Sequence, residues 1–354
     1  MLVLFVFLLS FFFAVNIGAS GAATSMGIAY SARALSRWHG VLLSGVGMFL
    51  GAWFGGEKVV KTLSQGIVPA SEITVKITLM ILLGATLTLF LANLSGIPLS
   101  TSEVTVGAIV GLGLITQHFY TENLLRIIGY WLVTPVVCFG LALGIGFLLN
   151  QLKISVKYDI TTSRWLPVLV ILFGVFDAFS AGMNNVANAM GPLVSSHLIA
   201  SHQSVIVGGL FVALGAVTLG HRTLETNGRR ISKLTFLEGG LVSFMTASLV
   251  VLASAAGIPV PQAQMSTCAI LGIGAAKSGR SIFKKTVIKK ILAVWVLSPV
   301  LSAAVSFGLI QITVKNSANM LVVLIAGCLA LAIWMAYRLK HNRIIAKAKG
   351  EEIK

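Results

Sequence analysis

The chain has 354 residues, 56% of them hydrophobic and only 10% charged, and its mean hydropathy is +0.95. A water-soluble globule is excluded, because apolar runs long enough to cross a ~30 Å hydrocarbon core recur from one end to the other. The formal net charge of +16 comes from Lys and Arg set between apolar runs and in the C-terminal tail, a placement that reads as topology and contact with anionic membrane lipid, with no nucleic-acid surface.

In chain order the apolar segments fall at 1–17, 40–55, 73–93, 97–116, 126–150, 166–179, 204–219, 235–256, 259–275, 290–312 and 319–337. These are about 11 membrane segments of an all-α polytopic membrane protein. The first reads MLVLFVFLLSFFFAVN, with no base before Arg33 and no small-residue cleavage site behind it. It is expected to be a membrane segment and not a cleaved signal peptide. Bases gather after the first, fifth, seventh, ninth and eleventh segments, as at Lys153, Lys157 and Arg164. All are odd-numbered ends, which predicts a multi-pass protein of the cell membrane with its N-terminus outside and its C-terminus cytoplasmic. Cys138, Cys268 and Cys328 sit singly in apolar runs and read as packing residues.

Shifting the sequence by 164 residues superposes Gly18 on Gly182, Ala23 on Ala187, LGAWFGGEKVVKT (50–62) on LGAVTLGHRTLET (214–226) and WLVTP (131–135) on WVLSP (295–299). GIP at 96–98 meets GIP at 257–259 with a slip of three residues. Matched blocks in register mark a duplication. Each copy holds five segments, an odd number, so the second enters the membrane with the opposite orientation, the inverted-repeat plan of many secondary transporters. The expected units are 1–150 and 165–312 as two pseudo-symmetric halves, 319–337 as an additional C-terminal helix and 338–354 as a basic cytoplasmic tail.

Two segments repeat a small, polar composition, NIGASGAATSMG at 16–27 and SAGMNNVANAMG at 180–191. Gly and Asn each disfavour a helix interior by about 0.5–1 kcal/mol relative to Ala, so both segments are expected to be broken helices whose half-helix N-termini face an anion near the midplane. Close helix approach through small residues is the alternative. The segments SGIPLSTSE (95–103) and AGIPVPQAQMST (256–267) read as re-entrant hairpins with hydroxyls and amides at their tips.

A duplicated GANDVANA-like stretch, each copy followed by a P-V-S-T-T-H-like hairpin, resembles the inorganic phosphate transporter (PiT, or Pho4) family over nearly the whole chain. GASGAATS (18–25) and GMNNVANA (182–189) occupy the signature positions; PLSTSE (98–103) matches the hairpin well and PVPQAQ (259–264) poorly. The resemblance implies an oxyanion and a coupling cation bound between the halves. Where the family carries two aspartates this chain has Gly21 and Asn185, and where the first hairpin ends in His it has Glu103. A carboxylate accepts the proton of hydrogen phosphate but repels sulfate, which only accepts hydrogen bonds. The chain therefore looks like the CysP-type sulfate permease branch. Ser20, Gly21, Asn184, Asn185, Ser100, Thr101 and Ser102 are the expected neutral donors, with Asn16, Thr24, Asn188, Gln262 and Gln264 behind them. Phosphate, thiosulfate or molybdate is the alternative substrate.

Bringing a dianion in against ~100 mV costs about 4.6 kcal/mol, so cations must accompany it. Glu103 and Asp177 are the expected coupling residues, since either can take a proton; Glu238 fits a pairing with a nearby base better. Loss of the family's aspartates favours a proton over sodium. No cofactor or metal is implied, and a homodimer is compatible with the chain. His39, His118, His197, His202, His221 and His341 lack ligand spacing, and no GxSxG, HExxH or GxxxxGK[ST] occurs, which argues against an enzyme. A passive anion channel is the competing class.

Overall fold

The computed structural model describes residues 1–31, 33–94, 99–152, 165–221, 224, 234–279 and 285–315. Within them run α1 (Leu2–Ser31), α2 (Arg37–Gly55), α3 (Glu57–Gln65), a 3₁₀ turn (Ala70–Glu72), α4 (Val75–Leu94), α5 (Thr101–Thr116) and α6 (Thr121–Gln151). The second half follows as α7 (Trp165–Ser195), α8 (Ser201–Thr218), α9 (Phe236–Ala255), α10 (Gln262–Ser278) and α11 (Lys285–Lys315). No strand occurs among the described residues. Ten of the eleven apolar segments thus become helices; 319–337 and the basic tail lie outside the described residues, as do Cys328, His341, 95–98 and Lys153, Lys157 and Arg164.

Among the described residues six helices are long and apolar enough to cross a membrane, and α2 with α3, bent by 65° at Gly56, makes a seventh if the pair is one span. The chain is a multi-pass membrane protein. Its outward faces are apolar, as on α6, where Leu132, Val133 and Val136 are exposed; in a bilayer that face meets lipid tails.

The expected breaks at the two signature segments are not found. α1 runs unbroken through 16–27, and α7 runs unbroken through 180–191. The reason is tertiary. A Cβ at Gly18 would lie 1.8 Å from the Val212 carbonyl oxygen, and one at Gly182 would lie 1.9 Å from that of Met48. These glycines are crossing points where two backbones touch, and the packing gained there outweighs the ~1 kcal/mol of lost propensity at each.

The contacts also come in exchanged pairs. Met48 and Val212 are 164 residues apart, as are Gly18 and Gly182. A Cβ at Gly51 would lie 1.9 Å from the Phe179 carbonyl oxygen, and one at Gly215 would lie 2.0 Å from that of Val15, again partners under the same shift. On the other side of the molecule Gly111 abuts the Ala303 carbonyl and Gly272 that of Phe139; the two glycines are related with the three-residue slip of the GIP blocks and the two carbonyls by the full 164 residues. Each half therefore gives the other what it receives, the signature of a two-fold relation. The helices pair accordingly: α1 lies along α8 and α7 along α2, while α5 lies along α11 and α10 along α6.

Gly182→Ala is expected to destabilise the protein by more than the ~1–3 kcal/mol typical of overpacking, because the clash is with backbone. Gly140→Ala, where a Cβ meets nothing within 4 Å, should leave stability unchanged or slightly raised. Melting temperatures of the two variants in detergent check this.

Candidate functional site

The turn between α9 and α10 sets one wall of the site. Gly257, at φ +75°, ends α9 in a Schellman motif, with Ile258 N–H donating to the Ala253 carbonyl (2.9 Å) and Gly257 N–H to that of Ser254 (2.8 Å). Lys58 Nζ donates to the Ala255 carbonyl at 2.9 Å, a cation where the helix dipole wants one. Beyond the turn, Trp131 Nε1 donates to the Pro259 carbonyl at 2.9 Å. Asn184 clasps Val260 from both sides: its Nδ2 donates to the carbonyl (2.9 Å) and its Oδ1 accepts from the N–H (3.1 Å). So moored, the N-terminus of α10 points into the molecule.

It points at a cavity of about 340 Å³. α1 contributes Asn16, Ser20 and Thr24, four residues apart and so on one face, with Gly21 beside Ser20. α5 contributes Ser100 and Thr101 at its N-terminus, α7 Asn185, and α10 Gln262, Ala263 and Ser266; Thr86 of α4 also lines the wall. Two helix N-termini thus converge on one space. Ser100 sits at the N-cap of α5 without a side-chain cap bond. No acid or base is among the lining residues. A site of neutral donors and helix N-termini suits an anion that accepts hydrogen bonds.

Of the expected site residues, these eight line the cavity and four do not. Asn184, Asn188, Ser102 and Gln264 are buried behind the wall, where they orient the residues in front. Asn185 Oδ1 accepts from Thr101 Oγ1 (3.2 Å), Asn184 Nδ2 (3.1 Å) and Asn188 Nδ2 (3.3 Å). Asn188 also donates to Thr101 and Ser102. With three donors on its oxygen, Asn185 has its Nδ2 left for the cavity. The donors of α1 are turned inward, Asn16 to the Phe12 carbonyl (2.8 Å), Ser20 to that of Ile17 (2.9 Å) and Thr24 to that of Gly21 (2.9 Å).

Thr86 and Ser266 are wall residues that the sequence does not single out. A lone hydroxyl in a helix commonly bonds its own backbone, as Thr88 does to the Gly84 carbonyl; Thr86 Oγ1 is buried with no such partner. Ser266 lies one turn after Gln262, a spacing that carries meaning only once α10 is known to start there.

Each expected coupling carboxyl is held by a glutamine of α10. Asp177, 3% exposed, accepts from Gln262 Nε2 at 3.0 Å. Glu103, 2% exposed, accepts at Oε1 from Gln264 Nε2, with the Ser298 hydroxyl also nearby. Neither has a basic partner among the described residues. Glu238 differs: it pairs with Lys277 at 2.6 Å and closes a capping box with Thr235, a structural role.

Residues 17–306 match the model of the Phosphate transporter family, PHO4. The chain is 45% identical to the sulfate permease CysP of Bacillus subtilis, over 91% of each protein. It is 28% identical to a putative phosphate permease of Pyrococcus horikoshii, over 81% of this chain and 92% of that one. Among solved structures it resembles "The sodium-dependent phosphate transporter" with a TM-score of 0.75 and 25% identity, covering 88% of this chain and 98% of that one.

Proposed function

The chain belongs to the phosphate transporter family and is a membrane transporter, not an enzyme; from that premise we propose that it imports inorganic sulfate across the cell membrane by proton symport with alternating access. Asn185 carries the reading. Where the family has an aspartate, an amide here offers Nδ2 to the cavity while its oxygen is taken up by Thr101, Asn184 and Asn188. A donor at that point, with no carboxylate in the wall, favours a fully ionised oxyanion over one that brings its own proton. The 45% identical relative is named a sulfate permease, which supports the same substrate. Phosphate with sodium, the pair for which the solved relative is named, is the second reading, and the absence of both signature aspartates stands against it.

Asp177 and Glu103 are the proposed proton sites, because each is a buried carboxyl held by an amide and free to exist with or without charge. The two halves, 1–150 and 165–312, are proposed to be related by an axis in the membrane plane, with the N-terminus outside and the C-terminus cytoplasmic. The exchanged glycine contacts support the two-fold relation, and the odd number of segments per half supports the inversion.

The test is radiolabelled sulfate uptake into proteoliposomes. Under an inward proton gradient the expected result is accumulation that unlabelled sulfate suppresses and phosphate suppresses weakly. Preloaded unlabelled sulfate should accelerate labelled entry, as a channel would not. Uptake that follows sodium and ignores pH, or that phosphate blocks better than sulfate, overturns the proposal.

A further inference from the structure

Gln262 stands between a buried carboxyl and the cavity. It lines the cavity, whereas Asp177 does not. Its Nε2 donates to Asp177 Oδ1 at 3.0 Å and lies 3.4 Å from Ser180 Oγ, while its Oε1 accepts no hydrogen bond from the described residues. An ionised carboxylate can only accept, so it dictates this orientation of the amide. The amide oxygen is then what the cavity meets, and an anion there is repelled by it.

We propose that Gln262 turns over when Asp177 takes up a proton, and that this turn couples the proton to the oxyanion. A protonated Asp177 has an O–H to donate, and the Gln262 oxygen, which accepts from none of the described residues, is an acceptor for it beside the hydroxyl of Ser25. The amide rotates half a turn about its last torsion, which is soft, and its NH2 group swings to the cavity. A repelling oxygen is replaced by a donor. The proton comes from the aqueous side and resides on a carboxyl oxygen of Asp177; no other bond is made or broken. The coupling is reciprocal, so bound oxyanion holds the NH2 group toward itself and thereby retains the proton. Asn185 is the contrast, since its oxygen is held by three donors that do not titrate, making it a fixed donor beside a switchable one.

Other ionisable groups do not supply this effect. Of the elements packed against α7, α1 carries only Tyr30, α2 Arg37 and His39 near its start, α4 Lys76, α5 Glu103, and α8 His202 near its start. Glu57 of α3 pairs with Lys61 and lies near His202; Lys58 holds the Ala255 carbonyl; Glu238 of α9 pairs with Lys277 of α10. None of these, nor Cys268 of α10, bonds Asp177. Around the carboxyl are the hydroxyls of Ser25 and Ser180 and the Gln262 amide. In the family-like hairpin pattern position 262 is a threonine, too short to bridge, so the device depends on the glutamine.

The inference rests on the reading of the cavity as a proton-coupled sulfate site, and the test separates the two. Equilibrium binding of radiolabelled sulfate to the purified full chain in nanodiscs is measured across pH for wild type, Gln262→Met and Asp177→Asn, with Gln262→Thr replacing the methionine variant if that one does not fold. Wild-type affinity should tighten as pH falls, by at most about tenfold per pH unit for one linked proton. In Gln262→Met the dependence should shrink to less than about twofold per unit, with affinity between the wild-type extremes. Asp177→Asn should bind tightly at every pH, because the new amide can donate to the Gln262 oxygen. If Gln262→Met keeps the wild-type slope, Asp177 acts on the anion through space and the switch is wrong, while sulfate transport stands. A wild-type affinity independent of pH also overturns the switch. No sulfate binding by wild type at any pH overturns the transport reading itself.

Discussion

Placing aspartates at both signature positions, Gly21→Asp with Asn185→Asp, is expected to weaken sulfate uptake by more than about a hundredfold. At ~4 Å and an effective dielectric of about 20, each unit of like charge costs about 4 kcal/mol, and sulfate presents two. Both substitutions fit the structure. The donors that hold Asn185 Oδ1, from Thr101, Asn184 and Asn188, hold a carboxylate oxygen equally well, and only the Nδ2 facing the cavity is exchanged for an acceptor. A Cβ at Gly21 would lie 2.5 Å from Met48 Cε, the tip of a flexible side chain that can move aside. The same variant should become sensitive to phosphate, whose remaining proton the new carboxylates can accept. Uptake assays with each anion as competitor check both halves of this expectation. Unchanged sulfate transport in the double variant would mean that these positions do not meet the substrate.

Removing a coupled proton should abolish accumulation while sparing exchange. In Asp177→Asn or Glu103→Gln, whichever residue carries the proton is fixed in its neutral form. The variant still binds sulfate and still swaps labelled for unlabelled anion across the membrane, but cannot release a proton inside and so cannot concentrate its cargo. Losing one proton from the cycle lowers the attainable gradient by about tenfold per pH unit, and by about fiftyfold more at ~100 mV. Wild-type uptake should accelerate as external pH falls, because the protonated carboxyl does not oppose the incoming dianion. The amide variant of the carrier loses that response, and the amide variant of a non-carrier keeps it. If both variants accumulate sulfate normally under a proton gradient, neither carboxyl couples the fluxes. Steady-state accumulation and counterflow, measured on the same vesicles, separate these outcomes.

Helix positions are legible in the sequence to within a few residues wherever an apolar run is uninterrupted, as for α4 and α9, because burial in lipid demands length and hydropathy that cannot be disguised. The C-terminal half of α1 is where local reasoning misleads. There the preference of Gly and Ser opposes the helix, and the opposing term, backbone contact with Val212 of a helix almost two hundred residues later, has no local trace. The site is legible as a set of segments but not as a set of faces. Asn184 and Asn185 are adjacent, so about 100° of helix rotation separates them, and only the position of Val260 decides that the first is a clasp and the second a wall. Gln262 and Gln264 rank behind the hydroxyls on sequence alone because their hairpin departs from the family pattern. Gln264 and its partner Glu103 are equivalent positions of the two hairpins, 161 residues apart, but equivalence under the repeat does not itself say that the two side chains meet; the 85 residues between Gln262 and Asp177 follow no repeat.

The clasp of Asn184 on Val260 has no counterpart among the described residues of the other half. Its equivalent under the 164-residue shift is Ser20, whose hydroxyl donates to the Ile17 carbonyl of its own helix and so does not hold a hairpin as Asn184 does. If alternating access is an exchange of conformations between the halves, its two end states differ by the hydrogen bonds of that clasp. They are then unequal in energy, and a difference of ~1.4 kcal/mol already populates them ten to one. The unloaded carrier would rest mostly on one side of the membrane. Import and export would consequently show different half-saturating concentrations, and the return of the empty carrier, rather than the passage of the anion, would set the pace of turnover.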